Sequence, residues 1–303
     1  MRKDLLSVAD LDADEVRRSL DIALRLKGGT NVGSLGGKSL ALVFEKPSLR
    51  TRASFDLAIF QLGGHAIYLS PDEVGVGQRE PVEDVARVLA RYVNAIAART
   101  FSHRTLVTLA KWSSVPVINA LSDTEHPCQA LADMLTIYEN KERLEGLRLA
   151  YVGDGNNVAT SLLFAAALTG VHFRIASPQG YGLGSDVVER ARQLSNGEAD
   201  IMVTEDPSAA VQGADVVYTD VWTSMGQEME VEERRRVFAP FQVDRGLLSL
   251  AAPDAVFMHP LPAHHGEEVA AGVLDLPQSL AFDQAENRLH MQKALLLMLL
   301  PQE

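Results

Sequence analysis

Among its 303 residues the chain has a single cysteine, Cys128. No internal disulfide is possible, so stability has to come from burial. The Cys/His spacing of a structural zinc site is also missing, and neither metal nor cofactor is expected. No apolar run approaches the ~18 residues needed to cross a bilayer. The opening Met1-Arg2-Lys3-Asp4-Leu5-Leu6 lacks the apolar core and small-residue cleavage site of an export signal. A cytoplasmic protein that does not engage membranes is the expectation. Positive charge is the scarcer sign, with 28 Lys and Arg against 40 Asp and Glu, a net charge of −12. That excludes a general nucleic-acid binder, and any anion site must be a local gathering of arginines on a repulsive background.

Apolar sequence is plentiful. At 47% hydrophobic, with 22 Gly and 13 Pro, the chain can fill two cores of moderate size. Apolar positions in 11–27 recur at helical spacing and stop at the Gly-rich stretch 28–37, which predicts an N-terminal helix. Short apolar runs at 40–44, 66–69, 95–98 and 115–119 then alternate with helical patterns. A long helix over 127–141 ends near Gly146, and a second series opens there. Its strands are expected at 147–152, 171–176, 200–203, 215–219, 255–258 and 280–282, followed by an apolar helix over 286–300. The pattern predicts an α/β fold of two doubly wound parallel-sheet domains joined by long helices. Their bounds are 1–145, with 286–303 packing back on it, and 146–285. Ligands of such sheets bind beyond the carboxyl ends of the strands, where every polar cluster of this chain falls.

The most informative stretch is Phe44-Glu45-Lys46-Pro47-Ser48-Leu49-Arg50-Thr51-Arg52. It joins a strand to a helix whose first turn offers unpaired N–H groups and the positive end of a dipole. Two hydroxyls and two guanidinium groups beside them suit a phosphate-like dianion, since arginine can grip two oxygens at once. Alone, the stretch has a second and weaker reading as a solvated, capped helix start. His126-Pro127-Cys128-Gln129 opens the long helix, and His126 and Gln129 can face a carbonyl oxygen; Arg99 ends a strand on the same sheet edge. Taken singly, these read as a helix cap and a surface ion-pair partner. Their convergence favours a ligand.

In the second series, Gly153-Asp154-Gly155-Asn156-Asn157-Val158 is a poor dinucleotide fingerprint, because Val158 stands where the third glycine belongs and no acid ends the next strand. Its two amides suit an amino-acid head group. Asp220-Val221-Trp222-Thr223-Ser224-Met225-Gly226 offers Asp220 to an ammonium and Ser224 to a carboxylate, or is an ordinary Asp-capped loop. Met258-His259-Pro260-Leu261-Pro262 is a proline-stiffened turn with outward carbonyls, or a turn of no chemical consequence.

In this order the pieces resemble the aspartate/ornithine carbamoyltransferase family over nearly the whole chain. Ser48-Leu49-Arg50-Thr51-Arg52 is similar to its Ser-x-Arg-Thr-Arg carbamoyl-phosphate motif, and His126-Pro127-Cys128-Gln129 to its His-Pro-x-Gln. Arg99 and Arg288 fall at its other phosphate-site arginines. Ser224-Met225-Gly226 resembles the substrate loop of the ornithine-using branch, with Asn157 and Asp220 at the ornithine-binding positions. The resemblance implies carbamoyl transfer from carbamoyl phosphate to the δ-amine of ornithine, with no cofactor. Ser48, Leu49, Arg50, Thr51, Arg99, His126, Gln129 and Arg288 would bind carbamoyl phosphate. Asn157, Asp220, Ser224 and Met225 would bind ornithine, and Thr51, Arg99, His126, Pro260 and Leu261 would act on the reacting atoms. It also implies a homotrimer or a multiple of one, with the Ser70–Glu80 loop reaching a neighbouring site. Two positions depart from the pattern. Pro260 stands where ornithine-using members usually carry cysteine, and Gly75 where a polar side chain usually serves the neighbour, leaving Gln78 or Arg79 for that task. The rival expectations are an acceptor such as putrescine, aspartate or N-acylated ornithine, a non-catalytic sensor on the same fold, and a dinucleotide-dependent oxidoreductase. The Ser224-Met225-Gly226 loop, the intact phosphate motif and the broken glycine pattern argue against them in turn.

Overall fold

The computed structural model describes residues 4–71, 75, 79–223 and 228–301. Two compact units divide the chain, Met1–Leu135 with Glu286–Glu303, and Thr136–Ala285.

In the first unit, helix α1 (Ala13–Lys27) precedes strand β1 (Ser39–Phe44), helix α2 (Leu49–Gln61), β2 (His65–Leu69), α3 (Val82–Leu89), β3 (Ala95–Arg99), α4 (His103–Trp112) and β4 (Val117–Leu121). All pairings in this sheet are parallel, in the order β2-β1-β3-β4. The central strands are buried nearly end to end, which is why they read as apolar runs and not as alternating ones. Val43, Val85, Leu89, Ile96, Leu106 and Val117 form one shared core. Helix α5 (Pro127–Lys141) begins in this unit and ends in the second.

The second unit runs β5 (Arg148–Val152), α6 (Asn157–Thr169), β6 (His172–Ala176), α7 (Ser185–Ser195), β7 (Ile201–Thr204), α8 (Pro207–Val211), β8 (Val216–Tyr218), α9 (Val231–Phe238), α10 (Arg245–Leu248) and β9 (Val256–Met258). Its five-stranded sheet is parallel, in the order β7-β6-β5-β8-β9. The last helix, α11 (Ala281–Leu299), returns the chain to the first unit.

One expected strand is absent. Residues 280–282 open α11, because the Leu280 carbonyl accepts the first helical bond from Gln284 N–H at 2.8 Å. The strand-like contact there is an isolated bridge between Phe257 and Ser279. No helix among the described residues is long and apolar enough to cross a membrane.

Candidate functional site

In the first unit the chain leaves β1 at Phe44 and enters α2 at Leu49, beyond the carboxyl edge of the sheet. Ser48 caps the helix. Its Oγ accepts from Thr51 N–H at 3.3 Å and donates to Thr51 Oγ1 at 3.0 Å. Thr51 Oγ1 also accepts from Nη2 of Arg288 at 2.8 Å, on the first-unit part of α11. With both lone pairs engaged, the Thr51 hydroxyl has only its proton to offer a ligand.

Around these hydroxyls lies a group of buried cations. Arg99, the last residue of β3, is 6% exposed, Arg288 4% and Lys46 8%. Burial, then Arg288 and Arg50, push the Arg99 guanidinium down to about 10. Burial, then Arg99, lower Lys46, and burial lowers Arg50. His126, also buried, is held well below the usual imidazole range by burial first and then by Arg288, Arg99 and Lys46. Cations that repel one another inside a protein of net charge −12 describe a receptor for an anion. Lys46 is the member the motif reading left unassigned; its adjacency to the Ser48 turn was the available signal.

Gln129 sits one helical turn from His126, and its Nε2 donates to Asp133 at 2.8 Å. A carboxylate only accepts, so the opposite amide atom is the acceptor Oε1, which suits an N–H donor and not the carbonyl oxygen anticipated above. Leu49 is 83% exposed and has only its main chain to offer. Arg52 is not gathered with the others; its guanidinium lies 3.8 Å from the centre of the Tyr68 ring. Cys128 is fully buried and its thiol is pushed up to about 12, mainly by burial.

The second unit gathers a different set at the ends of β5, β8 and β9. Asn156 caps α6, its Oδ1 accepting from the N–H groups of Val158 and Ala159, while its Nδ2 donates to Oδ2 of buried Asp220 at 2.8 Å. Burial raises the Asp220 carboxyl above its ordinary range, and the Asn156 and Val221 hydrogen bonds oppose this. Asn157 heads α6 beside this pair. The Gly153-Asp154-Gly155 turn has a packing explanation, since a Cβ on Gly155 would lie 2.5 Å from the backbone of Gly182 and Leu183. Asp154 is buried against Nη1 of Arg234 at 3.0 Å.

After β9, Pro260 is buried and Leu261 has φ +56. That left-handed conformation costs a residue with a Cβ about 1–2 kcal/mol. Ser224, Met225, Gly226 and Gln78 lie outside the described residues. Sequence reasoning passed over Asn156 as a partner of Asp220, and over His259 and Glu268, whose side chains meet at 3.2 Å with both fully buried.

Residues 3–139 match the family described as aspartate/ornithine carbamoyltransferase, carbamoyl-P binding domain, and residues 145–299 its Asp/Orn binding domain. An ornithine carbamoyltransferase of Anoxybacillus flavithermus is 53% identical over 303 residues, 98% of this chain and 96% of that protein. One from Acidothermus cellulolyticus is 55% identical over 303 residues, covering 99% and 97%. Among solved structures, the ornithine carbamoyltransferase of Pyrococcus furiosus superposes with a TM-score of 0.94 at 48% identity, covering 98% of this chain and 97% of that one. That of Thermus thermophilus gives 0.91 at 48% identity, covering 99% and 100%.

Proposed function

The chain belongs to the aspartate/ornithine carbamoyltransferase family, and we propose that it transfers the carbamoyl group of carbamoyl phosphate to the δ-amine of L-ornithine, giving L-citrulline and phosphate. The observation that carries this reading is the mutually repelling set Lys46, Arg50, Arg99 and Arg288 around the Ser48–Thr51 hydroxyls. Carbamoyl phosphate would be held by residues 1–145 with 286–303, and ornithine by 146–285.

Ser48, Arg50, Thr51, Arg288 and the Leu49 main chain hold the phosphate. Thr51, Arg99 and His126 face the carbonyl oxygen, and Gln129 Oε1 accepts from the carbamoyl N–H. The amine nitrogen attacks the carbonyl carbon, and the oxygen becomes an anion that these donors stabilise. As the C–O bond to phosphate breaks, phosphate leaves with the electron pair and takes the amine proton. In the second unit Asp220 pairs with the α-ammonium. Asn157, Ser224 and Met225 hold the rest of the amino acid, and the carbonyls of Pro260 and Leu261 orient the δ-amine. Buried Asp220 beside the acceptor also disfavours aspartate, whose second carboxylate it would repel. Purified protein offered carbamoyl phosphate and a panel of amines, scored by ureido product, tests the assignment. A preference for putrescine, aspartate or N-acylated ornithine would sink it.

The pH profile follows from the same chemistry. An alkyl ammonium loses its proton near ~10.4 in water and must be neutral to attack, whereas His126 stays neutral throughout. The value of kcat/KM for ornithine is expected to climb from pH 6 to pH 9, with no limb belonging to His126. A flat profile, or an inflection near neutrality that vanishes in His126→Gln, would contradict this.

As an assembly, the chain is read as a homotrimer or a multiple of one, with the Ser70–Glu80 loop serving a neighbouring site. Leu49, Leu57 and Phe60, exposed on one face of α2, support contact with a second copy. A monomer mass by light scattering would refute it. The reaction belongs to arginine metabolism, here set in the cytoplasm, where a fraction carrying all the activity elsewhere would overturn that placement.

A further inference from the structure

Leu261 holds its left-handed φ of +56 although no glycine is there to relax it, and such a conformation persists only where its surroundings impose it. The peptide plane that enters this turn is held by a side chain two residues back: Leu261 N–H donates to Nδ1 of His259 at 2.9 Å, which also fixes the direction of the Pro260 carbonyl in the same plane. An accepting Nδ1 has no proton of its own, so the ring proton sits on Nε2, which faces Oε1 of Glu268 at 3.2 Å. That oxygen also accepts from His264 N–H at 2.6 Å. The His259 main chain is fixed as well, its N–H donating to Oε1 of Gln284 at 2.9 Å, while Gln284 Nε2 donates to the Tyr218 hydroxyl at 2.9 Å.

We propose that His259 is a positioning residue for the acceptor half of the reaction: Glu268 holds its imidazole in the Nε2–H form, and the Nδ1 lone pair of that form holds Leu261 in the turn from which Pro260 and Leu261 present their carbonyls. The proposal rests on the role given above to those carbonyls. It assigns work to a fully buried ring that has no place among the substrate-holding residues named above. A proton moved to Nδ1 would set two N–H groups against each other and release Leu261.

The test uses the full-length protein. With isotope-labelled histidine, the ring nitrogens of His259 are expected to report Nε2 protonated and Nδ1 not. A ring protonated at Nδ1 overturns the proposal outright, whatever the variants do. In His259→Asn the amide oxygen can still accept from Leu261 N–H. In His259→Gln the longer side chain reaches Glu268 and leaves Leu261 without an acceptor. The Gln variant is expected to lose about thirtyfold in kcat toward ornithine, the Asn variant less than about fivefold, with KM for carbamoyl phosphate within about threefold in both. Equal losses in the two variants, or a rise in that KM, would reduce His259 to a structural residue. Failure of the functional reading is separable: if the native protein prefers another amine, the ornithine assignment falls, and the same comparison made with that amine upholds or sinks His259.

Discussion

Arg50→Ala is expected to lower kcat/KM for carbamoyl phosphate by about a thousandfold, in the range seen when an arginine that stabilises transferring phosphate is removed. Arg50 lies in the first turn of α2, half-buried, and its charge presses on Arg99. Without a ligand that repulsion is unfavourable, so the substitution should leave the thermal midpoint unchanged or slightly higher. With a ligand, one of the forks proposed to meet the phosphate is gone. The combination separates a binding role from a structural one. Steady-state kinetics beside thermal unfolding supply both readings, and a loss under about tenfold would mean the phosphate does not sit at this helix start.

Asp220→Asn should act on the other substrate. Its amide keeps an oxygen that can accept from Asn156 Nδ2, and removing a buried charge spares the fold the desolvation that raises the carboxyl. On the proposed pairing, however, the α-ammonium of ornithine loses its counter-ion in a desolvated place. Truncating one partner of such a pair costs roughly 2–5 kcal/mol, so kcat/KM for ornithine should fall by about a hundredfold or more. Equilibrium affinity for carbamoyl phosphate should hold within about twofold, since its cradle is built from other residues. An equal weakening of both substrates would show that Asp220 supports the structure and not the ammonium.

How much of this was legible beforehand depended on how local each signal is. Helix α5 has the bounds that its pattern and the flanking Pro127 predict, and β1 and β3 are plain as apolar runs because burial on both faces erases alternation. Ser48, Arg50 and Thr51 could be grouped because one helical turn brings them together. Residues 280–282 misled, since three apolar residues after a turn fit a strand or a buried helix start equally well. The His259–Glu268 pair and the Gln284–Tyr218 bond left no mark in the sequence. They join single polar residues across turns and strands, with no periodicity to reveal them. Asn156 and Asn157 are adjacent, and only the backbone decides which of them caps α6 and turns toward Asp220.

The isolation of Cys128 has a practical consequence. A thiol that is fully buried and pushed up to about 12 carries almost no thiolate at neutral pH and should ignore maleimides while the fold is intact. The wild-type protein therefore already serves as a silent background for site-specific probes. One thiol introduced at an exposed position in each unit, such as Arg104→Cys and Glu189→Cys, would yield a doubly labelled, otherwise native chain. The distance between the two units could then be followed as each substrate is added.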